Sequence, residues 1–341
     1  MSEYYNLEKM IIDFANESGP AGGEFFAAKY ALKELEKYMP ASVDALGNVI
    51  GEKSGEGPHI LLDAHIDQVG MIVTSIDDGG FIKFDKCGGM DIRVLAAHEV
   101  IVWGKQPVFG VIVSTPPHLA KKDDEKKAKD FDELAVDIGM SKEKASEILS
   151  AGDRITLKSS HKKLLGNQIC GPAFDDRAGA AAILRCLEIL ESHSYNCRLS
   201  VMFSVQEETG GSGAKTGGYS ANAEESIVVD VSFAMAPDMP KEKCGEIGKG
   251  PMIGISPTLD SGMFSKLKKI AKANNIPCQC EVMGGRTGTN ADEIQTSGNG
   301  TKTALLSIPL KNMHSGVEII DLQDVENLAE LLAAYIMKGD A

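Results

Sequence analysis

The chain has 341 residues, a formal net charge of -14 and 43% hydrophobic residues, which is typical of globular proteins rather than disordered or fibrous ones. Its length exceeds what one hydrophobic core usually fills, so we expect two domains or one domain with a large insertion. The negative charge argues against nucleic acid or a membrane surface as the principal partner. No leader-like N-terminus or membrane-length apolar run is present, so the sequence predicts a cytoplasmic location.

The first predicted element is an amphipathic helix within residues 22–39, where apolar residues recur at helical spacing and Pro40 follows. Strands are predicted over residues 48–51 and 59–64, and the second runs into His65, Ile66, Asp67 and Gln68. Polar side chains therefore appear where this strand ends.

Residues 70–165 have a different pattern, with short β-rich runs separated by glycine, proline and aspartate turns. This pattern predicts a small barrel or sandwich. A charge run over residues 121–129 interrupts it and is predicted to be a solvated loop.

Helical and strand-like segments alternate from residue 175 to the end, and several strands are apolar at nearly every position. Alternation of this kind predicts an α/β fold with helices on both faces of a sheet. The simplest assembly joins residues 1–66 and 167–341 into one α/β domain, with residues 67–166 inserted as a β-rich domain.

Two adjacent carboxylates, Glu207 and Glu208, lie where an apolar strand enters a glycine-rich turn. Strand ends are where α/β enzymes place their sites. Because consecutive side chains point different ways, one glutamate is a candidate metal ligand and the other a candidate general base.

Other strand and helix ends also carry metal-ligand side chains. Asp175 and Asp176 begin a helix of small residues, and both a ligand and a helix-capping role are open for them. Asp67 is spaced to bond the ring of His65 and fix its tautomer. Imidazole mixed with carboxylate suits zinc, cobalt or manganese, and the full predicted set is His65, Asp175, Glu208, Asp230 and His314.

Other catalytic signatures are missing from the sequence. It has no G-x-S-x-G elbow, no phosphate-binding G-x-x-x-x-G-K-[ST] loop and no H-E-x-x-H helix. Seven cysteines without a Cys-x-x-Cys pair also argue against a disulfide framework or a thiolate zinc cluster.

Taken in order, the polar segments resemble those of the tetrahedral (TET) aminopeptidases, which include glutamyl aminopeptidases and cellulase M-like proteins. The resemblance covers nearly the whole chain. The matching segments are Ala64-His65-Ile66-Asp67, Phe174-Asp175-Asp176-Arg177-Ala178-Gly179, Val205-Gln206-Glu207-Glu208, Val229-Asp230-Val231 and Met313-His314-Ser315.

The resemblance implies a dinuclear metal-dependent aminopeptidase that removes N-terminal residues from short peptides. The implied fold is a central mixed sheet flanked by helices, as in zinc aminopeptidases, with an inserted small barrel or PDZ-like dimerisation domain. Dimers are expected to assemble into tetrahedral dodecamers. Two divalent ions per subunit are expected, with zinc favoured and cobalt or manganese open.

The resemblance also implies roles for individual residues. Asp175 would bridge the two metals, and His65, Glu208, Asp230 and His314 would complete their shells. Glu207 would be the general base on a metal-bridging water, and Asp67 would orient His65. A cis peptide bond is expected between Asp175 and Asp176.

Gln68 and Asn290 depart from the family pattern, where glutamate and aspartate are common, which leaves substrate choice open. Arg286 is a candidate partner for an acidic substrate side chain. Two alternatives to the aminopeptidase remain at this point, a metal-independent glycoside hydrolase and a non-catalytic peptide-binding scaffold.

Overall fold

The computed structural model describes residues 4–116, 130–158 and 160–338. The predicted loop over residues 121–129 lies outside these ranges. None of the helices in the described part of the chain combines the length and hydropathy that a membrane crossing requires.

The chain forms an eight-stranded mixed sheet, a closed six-stranded barrel and a small three-stranded sheet. The eight-stranded sheet consists, in spatial order, of β1 (Ala41–Val43), β2 (Val49–Lys53), β12 (Cys197–Ser204), β3 (Gly57–His65), β13 (Glu225–Phe233), β16 (Lys302–Leu310), β14 (Met252–Ile255) and β15 (Gln279–Val282). Its central strands β12, β3, β13 and β16 are parallel. The predicted mixed α/β sheet is confirmed.

Eight helices lie in the described part of the chain, and four of them were missed by the sequence patterns. They are α1 (Tyr5–Asn16), α2 (Phe25–Leu35), α3 (Lys142–Ile148), α4 (Phe174–Leu190), α5 (Ser212–Ala221), α6 (Ser261–Ala273), α7 (Ala291–Ile294) and α8 (Leu322–Met337). The missed helices are α1, α3, α5 and α7. Helix α5 contains three glycines, and glycine weakens a helical pattern.

The two faces of the large sheet are covered very differently. On strand β3, Ile60, Leu62 and Ala64 belong to the main core, which also takes residues from α1, α4, α6 and α8. Leu61, which points to the opposite face, belongs to a smaller core with residues of α5 and α7. In the described part of the chain, the face of the sheet that carries Leu61 is therefore covered by the short helices α5 and α7, which leaves room for a cavity on that side.

The barrel lies between β3 and α4 in the sequence, and its strands are arranged in the closed order β4-β5-β8-β7-β6-β9. They are β4 (Gly70–Ile76), β5 (Ile82–Cys87), β6 (Glu99–Trp103), β7 (Pro107–Ser114), β8 (Leu134–Asp137) and β9 (Arg154–Leu157). Their inward side chains form a separate hydrophobic core. The predicted small barrel is confirmed, and closure leaves no strand edge exposed.

The third sheet has the order β10-β11-β17, with β10 (Lys162–Lys163), β11 (Gln168–Gly171) and β17 (Glu318–Asp321). Strand β11 pairs antiparallel with β17. This pairing brings the segment that precedes α4 beside the segment that follows β16, and so it places two polar stretches of the sequence together.

Candidate active site

The predicted ligands lie at one edge of the sheet, where the parallel central strands end. His65 is the last residue of β3, the pair Glu207 and Glu208 follows β12, and His314 follows β16. Asp230 was predicted at a strand end, but it lies inside β13, which continues to Phe233. It still reaches the site because its carboxylate is level with the end of the neighbouring strand β3.

Asp175 lies at the centre of the cluster, and its two oxygens face different histidines. Its Oδ1 is 3.0 Å from His65 Nε2, and its Oδ2 is 3.2 Å from His314 Nε2. Asp175 and Asp176 have non-helical dihedral angles at the start of α4, and the peptide bond between them is cis, as expected.

The ligand atoms form two groups that share Asp175. The inner triad is His65, Asp175 and Asp230, and the outer triad is Asp175, Glu208 and His314; the ligand atoms in each lie within 4.8 Å of one another. His65 Nε2 is 3.8 Å from Asp230 Oδ1, and His314 Nε2 is 3.4 Å from Glu208 Oε1. The structure therefore brings all five predicted ligands together.

These residues fit divalent cations. Each triad offers one imidazole nitrogen and two carboxylates, a donor set that suits zinc and similar ions. Glu208 Oε1 is buried and has no hydrogen-bond partner among the described residues. A buried carboxylate oxygen without a donor is costly unless a cation satisfies it.

The pKa shifts of the clustered residues are also consistent with a site for divalent cations. Burial raises the pKa of Asp230 well above its usual value, and burial together with nearby carboxylates raises the pKa of Glu207 to about 7. Burial opposes protonation of His314, but the contacts to Asp175 and Glu208 outweigh it and raise its pKa to about 11. Bound cations would oppose the carboxylate shifts, because they favour the ionised forms.

Both histidines are oriented by backbone carbonyl groups. His65 Nδ1 donates to the carbonyl oxygen of Asp67 at 3.0 Å, and His314 Nδ1 donates to that of Gly89 at 3.0 Å. A carbonyl can only accept, so the proton of each neutral ring is on Nδ1 and Nε2 is free to bind a cation.

The carboxylate of Asp67 has a larger role in the site than the sequence indicated. It lies 3.5 Å from His65 Nδ1, but it accepts hydrogen bonds from the backbone amides of Glu207 at 3.0 Å and Glu208 at 3.1 Å. Asp67 therefore fixes the turn that carries both glutamates, and the ring of His65 is bonded by its backbone oxygen.

Sequence reasoning missed Glu318, which is buried in β17. Its Oε2 accepts from the amides of Phe174 at 2.8 Å and Asp175 at 3.3 Å, and its Oε1 accepts from that of His314 at 2.9 Å. One carboxylate thus ties together two ligand-bearing segments. The available signal was an acidic residue four positions after His314, directly before two isoleucines.

Three polar residues raised by the sequence lie outside the ligand cluster. Asp176 Oδ1 accepts from the amide of Gly179, which is a capping contact. Asn290 is buried and donates to Asp63 and Ser204, and Arg286 is bonded to Asp292 and Glu293. Arg286 is therefore already paired within the chain.

Comparison with known proteins agrees with this geometry. Residues 47–331 match the model of the family described as M42 glutamyl aminopeptidase. The chain is 31% identical over 338 residues to a lysyl aminopeptidase of Pyrococcus furiosus, covering 97% of this chain and 96% of that protein.

Solved structures extend the similarity to the whole fold. A TET aminopeptidase from a marine sediment Thaumarchaeota archaeon has a TM-score of 0.94 at 29% identity, covering 99% of this chain and 97% of that one. The TET1 peptidase of Pyrococcus horikoshii, which can assemble into a tetrahedron or a large octahedral shell, has a TM-score of 0.87 at 31% identity, covering 97% and 99%.

Fold, ligand cluster and relatives together define the class of the protein as a metal-dependent aminopeptidase, a hydrolase. The chain belongs to the M42 glutamyl aminopeptidase family. Two other similar solved structures carry the names putative peptidase/endoglucanase and endoglucanase, the latter from Thermotoga maritima, but the family model and the sequence relative above favour the aminopeptidase over the glycoside hydrolase and the scaffold.

Proposed function

We propose that this protein removes N-terminal residues from short peptides with two divalent cations, one held by the inner triad and one by the outer triad. The single observation that supports this most is the position of Asp175 between His65 and His314, with one oxygen toward each. Zinc is favoured by the donor set, with cobalt or manganese as alternatives.

When bound, divalent cations act as Lewis acids toward a carbonyl group and an attacking water. The chain supplies the proton transfer. Glu207 lines the cavity beside both triads, and no described group donates a hydrogen bond to its carboxylate. Glu207 is therefore free to take a proton from the attacking water and to return it to the leaving amine.

Glu207 and Glu208 allow a matched test, because the same substitution in neighbouring residues should have different results. In Glu207→Gln we expect two ions per chain and turnover lowered by ~10²–10⁴-fold, the usual contribution of a positioned acid or base. In Glu208→Gln we expect a reduced metal content. Both variants are measured by elemental analysis and by hydrolysis of aminoacyl anilides, and near-wild-type turnover in a metal-replete Glu207→Gln protein would contradict the proposed base.

We also propose that the chain forms a homo-oligomer in which dimers assemble into a tetrahedral dodecamer, with an inserted dimerisation domain over residues 67–166 and a catalytic domain formed by residues 1–66 and 167–341. The assembly of the Pyrococcus horikoshii relative and the closed barrel between β3 and α4 support this. Mass photometry tests it, and a monomer at micromolar concentration would contradict it.

A further inference from the structure

The cavity that contains the two triads, with a volume of about 450 Å³, has one carboxylate besides the proposed base Glu207 that neither triad includes. This is Glu281, on strand β15. Its two oxygens accept hydrogen bonds from the hydroxyl groups of Ser232 and Ser307, the latter at 3.0 Å. Two separate strands, β13 and β16, therefore hold the carboxylate in a fixed position in the cavity wall.

The charge of Glu281 is not balanced by a cation in the described part of the chain. Both of its hydrogen-bond donors are neutral hydroxyls, and no lysine, arginine or histidine forms an ion pair with it there. A half-buried carboxylate with only neutral donors attracts a cation more strongly than an exposed one, because solvent screens it less.

No lysine or arginine lines this cavity within the described residues. Arg286 is bonded to Asp292 and Glu293. Lys243 and Glu242 line an adjoining groove, whose wall also includes Glu281. An acidic side chain entering the cavity would therefore meet the carboxylate of Glu281 and no lysine or arginine of the described cavity wall.

The other walls of the cavity suit a long side chain. Met283, Leu305 and Met313 line it together with Glu281. Lysine and arginine bury their methylene groups against apolar surface and carry the charge at the tip. Apolar walls combined with one placed polar group are typical of a site that selects a ligand by shape and charge.

We propose that Glu281 binds the side chain of the substrate's N-terminal residue and makes the enzyme prefer peptides that begin with lysine or arginine. The inference rests on the proposed aminopeptidase function. Its physical basis is a charge-assisted hydrogen bond between Glu281 and the ammonium or guanidinium group, together with repulsion of glutamyl and aspartyl peptides.

The test compares kcat/KM for Lys-, Arg-, Leu- and Glu-anilides in the wild type and in Glu281→Gln, which keeps a carbonyl oxygen for one serine hydroxyl. We expect the wild type to prefer Lys and Arg over Glu. Losing a charge-assisted bond should lower the values for Lys and Arg about 10- to 100-fold and change that for Leu much less. A wild-type preference for Glu, or an equal loss for every substrate, would overturn the proposal.

Two further variants separate recognition from a structural effect. Glu246→Gln removes one negative charge from an exposed position outside the cavity and should leave the substrate order unchanged. Glu281→Lys should shift the preference toward Glu-anilide if it folds, and Glu281→Gln alone decides the matter if it does not. A selectivity change in Glu246→Gln equal to that in Glu281→Gln would count against a local subsite.

Binding to a non-hydrolysing protein distinguishes failure of this inference from failure of the proposed function. Calorimetry on Glu207→Gln, with zinc present, compares the dipeptides Lys-Ala, Ala-Lys and Glu-Ala. Tighter binding of Lys-Ala supports the subsite even if the wild type hydrolyses nothing. Equal binding of the three dipeptides, or an advantage only for Ala-Lys, would overturn it.

Discussion

The inner and outer triads use the same ligand chemistry but different supports. His65 and Asp230 of the inner triad lie within strands of the large sheet and are buried. Glu208 and His314 of the outer triad lie in turns beyond the strands and are partly exposed. The sheet hydrogen bonds therefore fix the inner ligands, whereas the outer ligands need additional contacts.

His314 illustrates the difference most clearly. Its φ of 61° lies in the left-handed region, which costs a residue with a β-carbon roughly 1–2 kcal/mol. Its amide is held by Glu318 and its ring by the carbonyl of Gly89, in the loop after barrel strand β5. The outer triad thus depends on the barrel through His314, whereas both triads depend on β17, because Glu318 also holds the amide of the shared ligand Asp175.

Removal of the ligand that both triads share should have the largest effect. Asp175→Asn takes one negative charge from each triad, so we expect both ions to be lost from the purified protein and activity to fall at least as far as in Glu207→Gln, by ~10²–10⁴-fold. Elemental analysis gives the metal content. Asp85→Asn, at an exposed barrel position, is the control, and retention of two ions by Asp175→Asn would refute the shared-ligand assignment.

Glu318→Gln should weaken the outer triad more than the inner one, because Glu318 holds the amides of Asp175 and His314 in the outer triad but only that of Asp175 in the inner triad. Glu318 now accepts hydrogen bonds from three backbone N–H groups. The glutamine side chain would point its own N–H group at one or more of them, and two donors cannot form a hydrogen bond. Mutations of residues that hold a metal ligand without touching the metal typically weaken metal affinity ~10–100-fold. We expect a loss of this size for one of the two ions. Competition with a chromogenic chelator measures it, with Glu330→Gln on the exposed side of α8 as the control. An equal loss for both ions would show that the inner triad is no better supported.

The smallest effect is expected from Gly89→Ala in the barrel loop. A β-carbon there would lie 3.0 Å from His314 Nδ1, which is too close for undisturbed packing, so the ring must shift by a few tenths of an ångström. We expect the affinity for the weaker ion to fall by less than ~10-fold while the barrel melts normally. Gly285→Ala, where a β-carbon meets nothing within 4 Å, is the matched control. If Gly89→Ala has the metal affinity of the wild type, the barrel loop does not help to hold the site.

The sequence predicted the two architectures because their patterns differ locally. Continuous apolar runs indicated the sheet, and short runs separated by turns indicated the barrel. Helices α1, α3, α5 and α7 were missed. Helices α3 and α7 have only 7 and 4 residues, too few for a clear periodicity, and glycine obscures the helical pattern of α5. Helix α2 is shorter than the predicted range of 22–39, since helix ends depend on packing as well as on periodicity.

The contacts of Asp67 show where local reasoning stops. Its spacing from His65 suggested a bond to the ring, and its carboxylate does lie 3.5 Å from His65 Nδ1, but it also accepts hydrogen bonds from amides about 140 residues away. Glu318 and Glu281 gave almost no signal, because a single acidic residue in a strand resembles many surface residues. Their significance depends on which distant amides and hydroxyls face them.

The sequence by itself determined the types of ligand and their positions near the ends of elements, because strand and helix patterns are local and imidazole and carboxylate side chains define the chemistry. Only the tertiary structure decided that Asp175 lies between two histidines, that Glu318 joins two ligand-bearing segments and that Glu281 faces the cavity. Those relations depend on the order in which the strands pair, and strand order is set by long-range packing rather than by neighbouring residues.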